Sequence, residues 1–226
     1  PSGHLWIAKF PSIKDKKNIG AWEMTANILA KKAGIKIPDI DVKKFNNDHL
    51  TFLTKRFDRN VIGERIHFAS AMTMLGYLDG DGYDSGVSYI EIAEFLMRHG
   101  AETNHDLEEL WRRIVFSICI KNTDDHLRNH GFMLTGQGWR LSPAYDLNPN
   151  EFGDGLSLNI SEKDNALDLD LALSVAELFR VKKSKAAEII NMVKCAVKEW
   201  RNVANDNGIS RTEQALMSKA FSIVEK

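Results

Sequence analysis

Asp124, Asn129 and Asp146 are the residues whose types and spacing point to chemistry. They lie in Asn122-Thr123-Asp124-Asp125-His126-Leu127-Arg128-Asn129 and, beyond a short hairpin, in Ser142-Pro143-Ala144-Tyr145-Asp146. An Asp, an Asn five residues on and a later Asp form the layout of a phosphoryl-transfer centre. There the first Asp accepts the proton of the acceptor hydroxyl, and the Asn and second Asp hold the magnesium ions that bridge the phosphates. Asp124 is the candidate base. Asn129 is neutral, so it can ligate a metal without adding charge, and Asp146 is the candidate hard oxygen ligand for Mg2+. Each Asx residue alone would be read as a turn cap; the joint spacing favours chemistry. Asp125 is chemically as able a base as Asp124, but only Asp124 has the five-residue offset. His126 is placed either to contact nucleotide or to orient the loop.

Lys9, in Trp6-Ile7-Ala8-Lys9, stands where a kinase strand lysine would pair with the α and β phosphates. Glu23, in the following helical segment, is its candidate partner. The run Arg56-Phe57-Asp58-Arg59 falls where an adenine hinge belongs, with Phe57 as an apolar wall. A glycine-rich phosphate loop is missing: only Gly3 precedes Lys9, and Gly-x-x-x-x-Gly-Lys does not occur. Either that loop lies upstream of Pro1 or phosphate binding is weakened. The start at Pro1 rather than Met admits a fragment that has lost a targeting segment.

The elements that must position these groups are legible in part. His4–Phe10 alternates as a strand. Asn18–Ala33 reads as a helix with Trp22, Ala26, Leu29, Ala30 and Ala33 on one stripe, stopped by Gly34. Strands are expected around Asp41–Phe45 and Leu50–Phe57. Helices are expected at Ile66–Leu75 and Tyr89–His99, with a polar, mobile loop at Asp79–Asp84. That loop fails the EF-hand pattern, because Ile90 stands where a glutamate is required. Leu107, Leu110, Trp111, Ile114, Val115 and Ile118 mark a buried helix that delivers the Asp124 loop. Gly131–Leu134 and Trp139–Ser142 pair as a hairpin leading to Asp146. Helices are expected over Ala166–Arg180, Lys183–Val203 and Arg211–Val224.

The bulk properties set bounds. The chain has 226 residues, 43% hydrophobic and 27% charged, enough for one large domain or two small lobes. A net charge of −1 argues against a mainly electrostatic grip on nucleic acid. No apolar run reaches the ~20 residues of a membrane span. Cys119 and Cys195 read as buried thiols in a reducing compartment.

The chain resembles the C-terminal kinase domain of HipA-type toxins, bacterial serine/threonine kinases of type II toxin–antitoxin modules. The resemblance rests on Trp6-Ile7-Ala8-Lys9-Phe10-Pro11, Arg56-Phe57-Asp58-Arg59, Asn122 to Gly131 and Leu141-Ser142-Pro143-Ala144-Tyr145-Asp146-Leu147, in family order. It implies an α+β, protein-kinase-like bilobal fold: a reduced N-lobe with a small antiparallel sheet over 1–57 and a mostly helical C-lobe over 58–226. It implies ATP and Mg2+ as cofactors, Asp124 as base, and Asn129 and Asp146 as magnesium ligands. Lys9 would hold phosphates, with Lys55 and Phe57 at the adenine hinge and His126 near the nucleotide. It further implies phosphorylation of an aminoacyl-tRNA synthetase, growth arrest, a cytoplasmic location and neutralisation by a DNA-binding antitoxin of the HipB type. Two departures stand out. Members often carry glutamate where Lys55 stands, and the family's N-terminal subdomain, with a phosphate loop that can carry an autophosphorylated serine, is not in this sequence. A short-form relative, a split-gene toxin with a separately encoded N-terminal subdomain, or a truncation would each account for that. The competing readings are a small-molecule kinase with a similar Asp-x-x-x-x-Asn, and a pseudokinase or antitoxin-binding module that works by contact.

Overall fold

A computed structural model describes residues 4–45, 48–60 and 62–225. Gly3, the glycine ahead of Lys9, lies outside them. Strand β1 (Trp6–Lys9) is followed by helix α1 (Ile19–Lys32), strands β2 (Ile40–Lys44) and β3 (Leu50–Lys55), and the short pair β4 (Phe68–Ser70) and α2 (Ala71–Leu75). Helices α3 (Tyr89–His99) and α4 (Thr103–Cys119) lead to the hairpin β5 (Gly131–Thr135) and β6 (Gly138–Leu141). Helices α5 (Leu169–Ser174), α6 (Lys183–Lys198), α7 (Trp200–Asp206), α8 (Arg211–Met217) and α9 (Ser222–Glu225) complete the chain.

Two antiparallel sheets result, in the orders β1-β3-β2 and β4-β5-β6. In the first, Lys9 lies opposite Phe52. Helix α1 packs across this sheet so closely that Gly20 is required: a Cβ there would sit 2.2 Å from the Leu50 carbonyl oxygen. The Asn18 side chain caps α1 and also accepts from the Leu50 amide at 3.0 Å. The other side of α1 buries Trp22, Ala26, Leu29 and Ala30. Trp22 meets Trp200 and Phe221, themselves stacked at 4.3 Å, and donates its indole N–H to Glu213. These contacts fix the azimuth of α1, and with it the direction in which Glu23 points.

The periodicity of α4 is realised: Leu107, Leu110, Trp111, Ile114, Val115 and Ile118 are all fully buried. At roughly 1.5–3 kcal/mol for each large side chain, this stripe anchors the helix that ends at the Asp124 loop. The hairpin turns through Gly136-Gln137, with Thr135 paired to Gly138.

Several expectations are corrected. Ile66–Leu75 is not one helix; Phe68–Ser70 pairs with Gly131–Met133 as a strand, and only Ala71–Leu75 is helical. The expected helix over Ala166–Arg180 divides at Val175 into α5 and a 3-10 turn over Ala176–Phe179. The Trp111 indole takes the Ala172 carbonyl, an acceptor that an unbroken α-helix would need for Ala176. Lys183–Val203 breaks at Glu199, and Arg211–Val224 contains a 3-10 turn at Ser218–Phe221. Cys119 is buried as expected, but Cys195 faces solvent on α6. The Asp79–Asp84 segment runs into a 3-10 turn at Tyr83–Ser85 and is tied down by the Tyr83 amide donating to Ser157. No helix of the described residues is long and apolar enough to cross a membrane.

Candidate active site

Lys9 is the centre of the site. Its ammonium lies 2.6 Å from Glu23 Oε1 and 2.5 Å from Asp146 Oδ1. Burial would lower the Lys9 pKa, but the Glu23 and Asp146 charges outweigh it and hold the ammonium above its ordinary range. Burial pushes the Glu23 carboxyl up to about 7 against the pull of Lys9. Three segments thereby meet at one ammonium: β1, α1 and the stretch after the hairpin.

Asp146 sits in the left-handed region, at φ 60°. Asp tolerates this better than most L residues, and such conformations persist only where the surroundings hold them. The surroundings here are specific. Arg113 of α4 donates to the Ser142 carbonyl at 2.8 Å, and the Ala144 amide donates to the Lys36 carbonyl at 2.8 Å. The Lys36 amide in turn donates to Glu109, which pairs with Arg113. Asn148 donates to Asp146 Oδ1 at 3.1 Å. The buried Glu109–Arg113 pair therefore ties the exit of α1 to the Asp146 loop.

The Asp124 loop leaves α4 through a tight reversal, with the Asn122 amide donating to the Ser117 carbonyl. The Asn129 amide N–H2 donates to the Asp124 carbonyl at 2.9 Å, closing the five-residue loop. The two adjacent acids then part ways. The Asp124 side chain is 84% exposed. Asp125 is buried beneath it, accepting from Tyr89 at 2.7 Å and Ser117 at 3.1 Å, with His130 Nε2 at 3.1 Å. Burial acts to raise the Asp125 pKa, but His130 and the two hydroxyl donors prevail and hold it below the usual range. Asp125 anchors the loop, and Asp124 is the acid that faces outward.

A cleft of about 310 Å3 opens beside Lys9, at the lower end of small-ligand sites. Of the predicted residues, Lys9, Glu23, Lys55, Arg56, Phe57, Asp58 and Asp146 line it. Phe57 meets Phe68 edge-on and Tyr145 at a tilt, centroids 5.6 and 5.7 Å apart, giving the cleft an aromatic wall. Lys55 Nζ is held by Asp39 at 3.1 Å. Asp124 and Asn129 stand on the adjoining loop. His126 lines a second hollow, of about 300 Å3, together with Asp79, Asp81 and Asp84.

Sequence reasoning missed Tyr145, Phe68 and Arg128 as cleft residues. Tyr145 and Arg128 adjoin Asp146 and Asn129, so adjacency was a usable signal. Phe68 carried none, because its strand forms only through β5.

The donors suit magnesium. Asp146 Oδ1 is engaged by Lys9 and Asn148, while Oδ2 accepts no hydrogen bond among the described residues. Asn129 spends its N–H2 on the Asp124 carbonyl, leaving its amide oxygen as the free donor. These are hard oxygens, and magnesium takes few protein ligands and completes its shell with water and phosphate. No group of three His, Cys, Asp or Glu residues suited to a metal occurs among the described residues.

A small antiparallel sheet with its lysine–glutamate pair, set against helices that present an acid loop and a hairpin, defines a kinase-like fold. Two solved structures share it. HipA of Shewanella oneidensis MR-1, determined with HipB and operator DNA, superposes at TM-score 0.75 and 18% identity, covering 97% of this chain and 57% of that one. The Helicobacter pylori proinflammatory kinase CtkA superposes at TM-score 0.58 and 12% identity, covering 98% and 91%. The chain belongs to the HipA-like C-terminal domain family, which it matches over residues 1–200. Two curated relatives are named as putative kinases, "Putative kinase" and "Putative kinase Y4dM". That of Haemophilus influenzae is 29% identical over 128 residues, 52% of this chain, and that of Sinorhizobium fredii is 30% identical over 161 residues, 65% of this chain. The alignments span 37% of each relative's length.

Proposed function

We propose that this domain is an ATP-dependent, HipA-type serine/threonine kinase of a toxin–antitoxin system. The observation that carries the reading is the Lys9 ammonium bridging Glu23 and Asp146 on the wall of a cleft that adjoins the Asp124 loop. ATP enters between Phe57, Phe68 and Tyr145, which offer an apolar surface to adenine. Lys9 exchanges Asp146 for phosphate oxygens while the buried Glu23 retains it. Asp146 and Asn129 present oxygens to magnesium, which would neutralise charge on the phosphates. Asp124 accepts the proton of the acceptor hydroxyl as that oxygen bonds to the γ-phosphorus. The bond from that phosphorus to the bridging oxygen breaks, and ADP departs with the electron pair. Lobes dividing near Phe57 fit this reading.

The finer proposals follow the family. The acceptor is a serine or threonine of a protein, an aminoacyl-tRNA synthetase being the expected target, with translation and growth inhibited. A DNA-binding antitoxin is the expected partner, as the Shewanella structure contains HipB and operator DNA. A separately encoded N-terminal subdomain is a second expected partner, and the bacterial cytoplasm the expected location. Calorimetric titration of MgATP, followed by transfer of labelled phosphate to synthetase candidates, tests the reading. Saturable binding and labelling abolished by Asp124→Asn support it. Absence of nucleotide binding by the wild type would overturn the enzymatic reading in favour of a contact module.

A further inference from the structure

We propose that Arg128 is the cation that meets the terminal phosphate where transfer occurs; the proposal rests on the kinase reading above. Arg128 lies in the 3-10 turn between Asp124 and Asn129. Its carbonyl is pinned by the Tyr145 hydroxyl at 2.6 Å, immediately before Asp146. Arg128 lines two spaces at once: the cleft that contains Lys9 and Asp146, and the hollow bounded by the Asp79–Asp84 segment and His126. A phosphoryl group passing from a nucleotide in the first space to an acceptor in the second crosses this junction.

The other cations of the cleft are each held by a carboxylate, and Lys9 is already assigned to phosphate oxygens beside Glu23. Lys9 is tethered by the buried Glu23, Lys55 by Asp39, and Arg56 by both oxygens of Asp58 at 2.8 and 2.5 Å. Arg128 has a weaker hold. Its guanidinium lies 2.6 Å from Asp79 Oδ1, but the two side chains are 48% and 72% exposed, and it also approaches His126 Nε2 at 3.3 Å. An exposed pair of this kind contributes little. A phosphate in a partly dehydrated cleft competes well for the same planar fork, which matches two phosphate oxygens together. The transferring group spreads negative charge over three oxygens, and a guanidinium at that position stabilises it without forming or breaking a covalent bond. Asp79 serves as the resting partner, holding the arginine at the mouth of the cleft.

The test compares MgATP and MgADP binding by calorimetry in the wild type, Arg128→Gln and Arg128→Lys. The Gln variant is expected to lose about tenfold more affinity for MgATP than for MgADP, the scale of a charge-assisted contact confined to the terminal phosphate. The Lys variant is expected to recover part of that difference, retaining charge but not the fork. Asp79→Asn is expected to keep the preference for MgATP. An unchanged ATP-to-ADP ratio in Arg128→Gln, with wild-type binding intact, overturns the role of Arg128 and leaves the kinase reading standing. Binding of neither nucleotide by the wild type overturns both.

Discussion

Lys9 Nζ and Asp146 Oδ1 are 137 positions apart in sequence and 2.5 Å apart in the fold. The contact joins the first strand to the loop after the hairpin and places the lysine proposed to hold phosphate against the carboxylate proposed to hold magnesium. Filling the site requires exchange of this bond. The wild type is therefore expected to bind MgATP, while Asp146→Ala loses magnesium dependence but keeps its fold through the Lys9–Glu23 pair. Titrations with and without magnesium check this; equal magnesium dependence in the variant would remove Asp146 from the metal site.

The division of labour between Asp124 and Asp125 yields a paired prediction. Asp124→Asn is expected to lower kcat by roughly 10²- to 10⁴-fold, the range of a lost general base, with nucleotide affinity and melting temperature preserved. Asp125→Ala should instead destabilise the protein by about 3 kcal/mol, because Tyr89, Ser117 and His130 lose a buried acceptor. Denaturant unfolding beside single-turnover kinetics separates the two, and equal behaviour of the variants would refute the assignment.

Glu23 predicts a pH dependence. Its folded pKa is raised from 4.5 to about 7 by burial, so between those values the folded state binds more protons than the unfolded chain. The contribution of this group to stability is full below pH 4.5 and is lost as pH rises through about 7. Relative to Glu23→Gln, the wild type should lose on the order of 3 kcal/mol across that window. Urea unfolding of both proteins from pH 4.5 to 8 measures it; parallel curves would contradict a raised Glu23.

Gly20 tests how α1 is seated. A methyl group there meets the Leu50 carbonyl oxygen at 2.2 Å, a backbone atom that cannot rotate away. Gly20→Ala is expected to cost about 2 kcal/mol, as overpacking does, despite alanine's better helix propensity. It should also weaken nucleotide binding by shifting Glu23. A variant as stable as the wild type would show that α1 can slide on the sheet.

Much of this protein was legible in the chain itself. Asp124, Asn129 and Asp146 are recognisable because a five-residue loop and a short hairpin are local constraints. The α4 stripe and the α1 caps are legible for the same reason: periodicity and capping act within a few turns. The offset to Asn129 singled out Asp124, but the burial of Asp125 was not readable, since only packing around Tyr89, Ser117 and His130 produces it. β4 escaped notice because three residues carry no reliable period and become a strand only by pairing with Gly131–Met133. The break before Ala176 depended on an indole from α4 reaching a carbonyl 61 positions away. The aromatic wall of Phe57, Phe68 and Tyr145, the junction at Arg128 and the Lys9 bridge between Glu23 and Asp146 likewise belong to the tertiary structure. Each needs segments that are distant in sequence to be brought within a few ångströms, a condition set by the packing of the whole core.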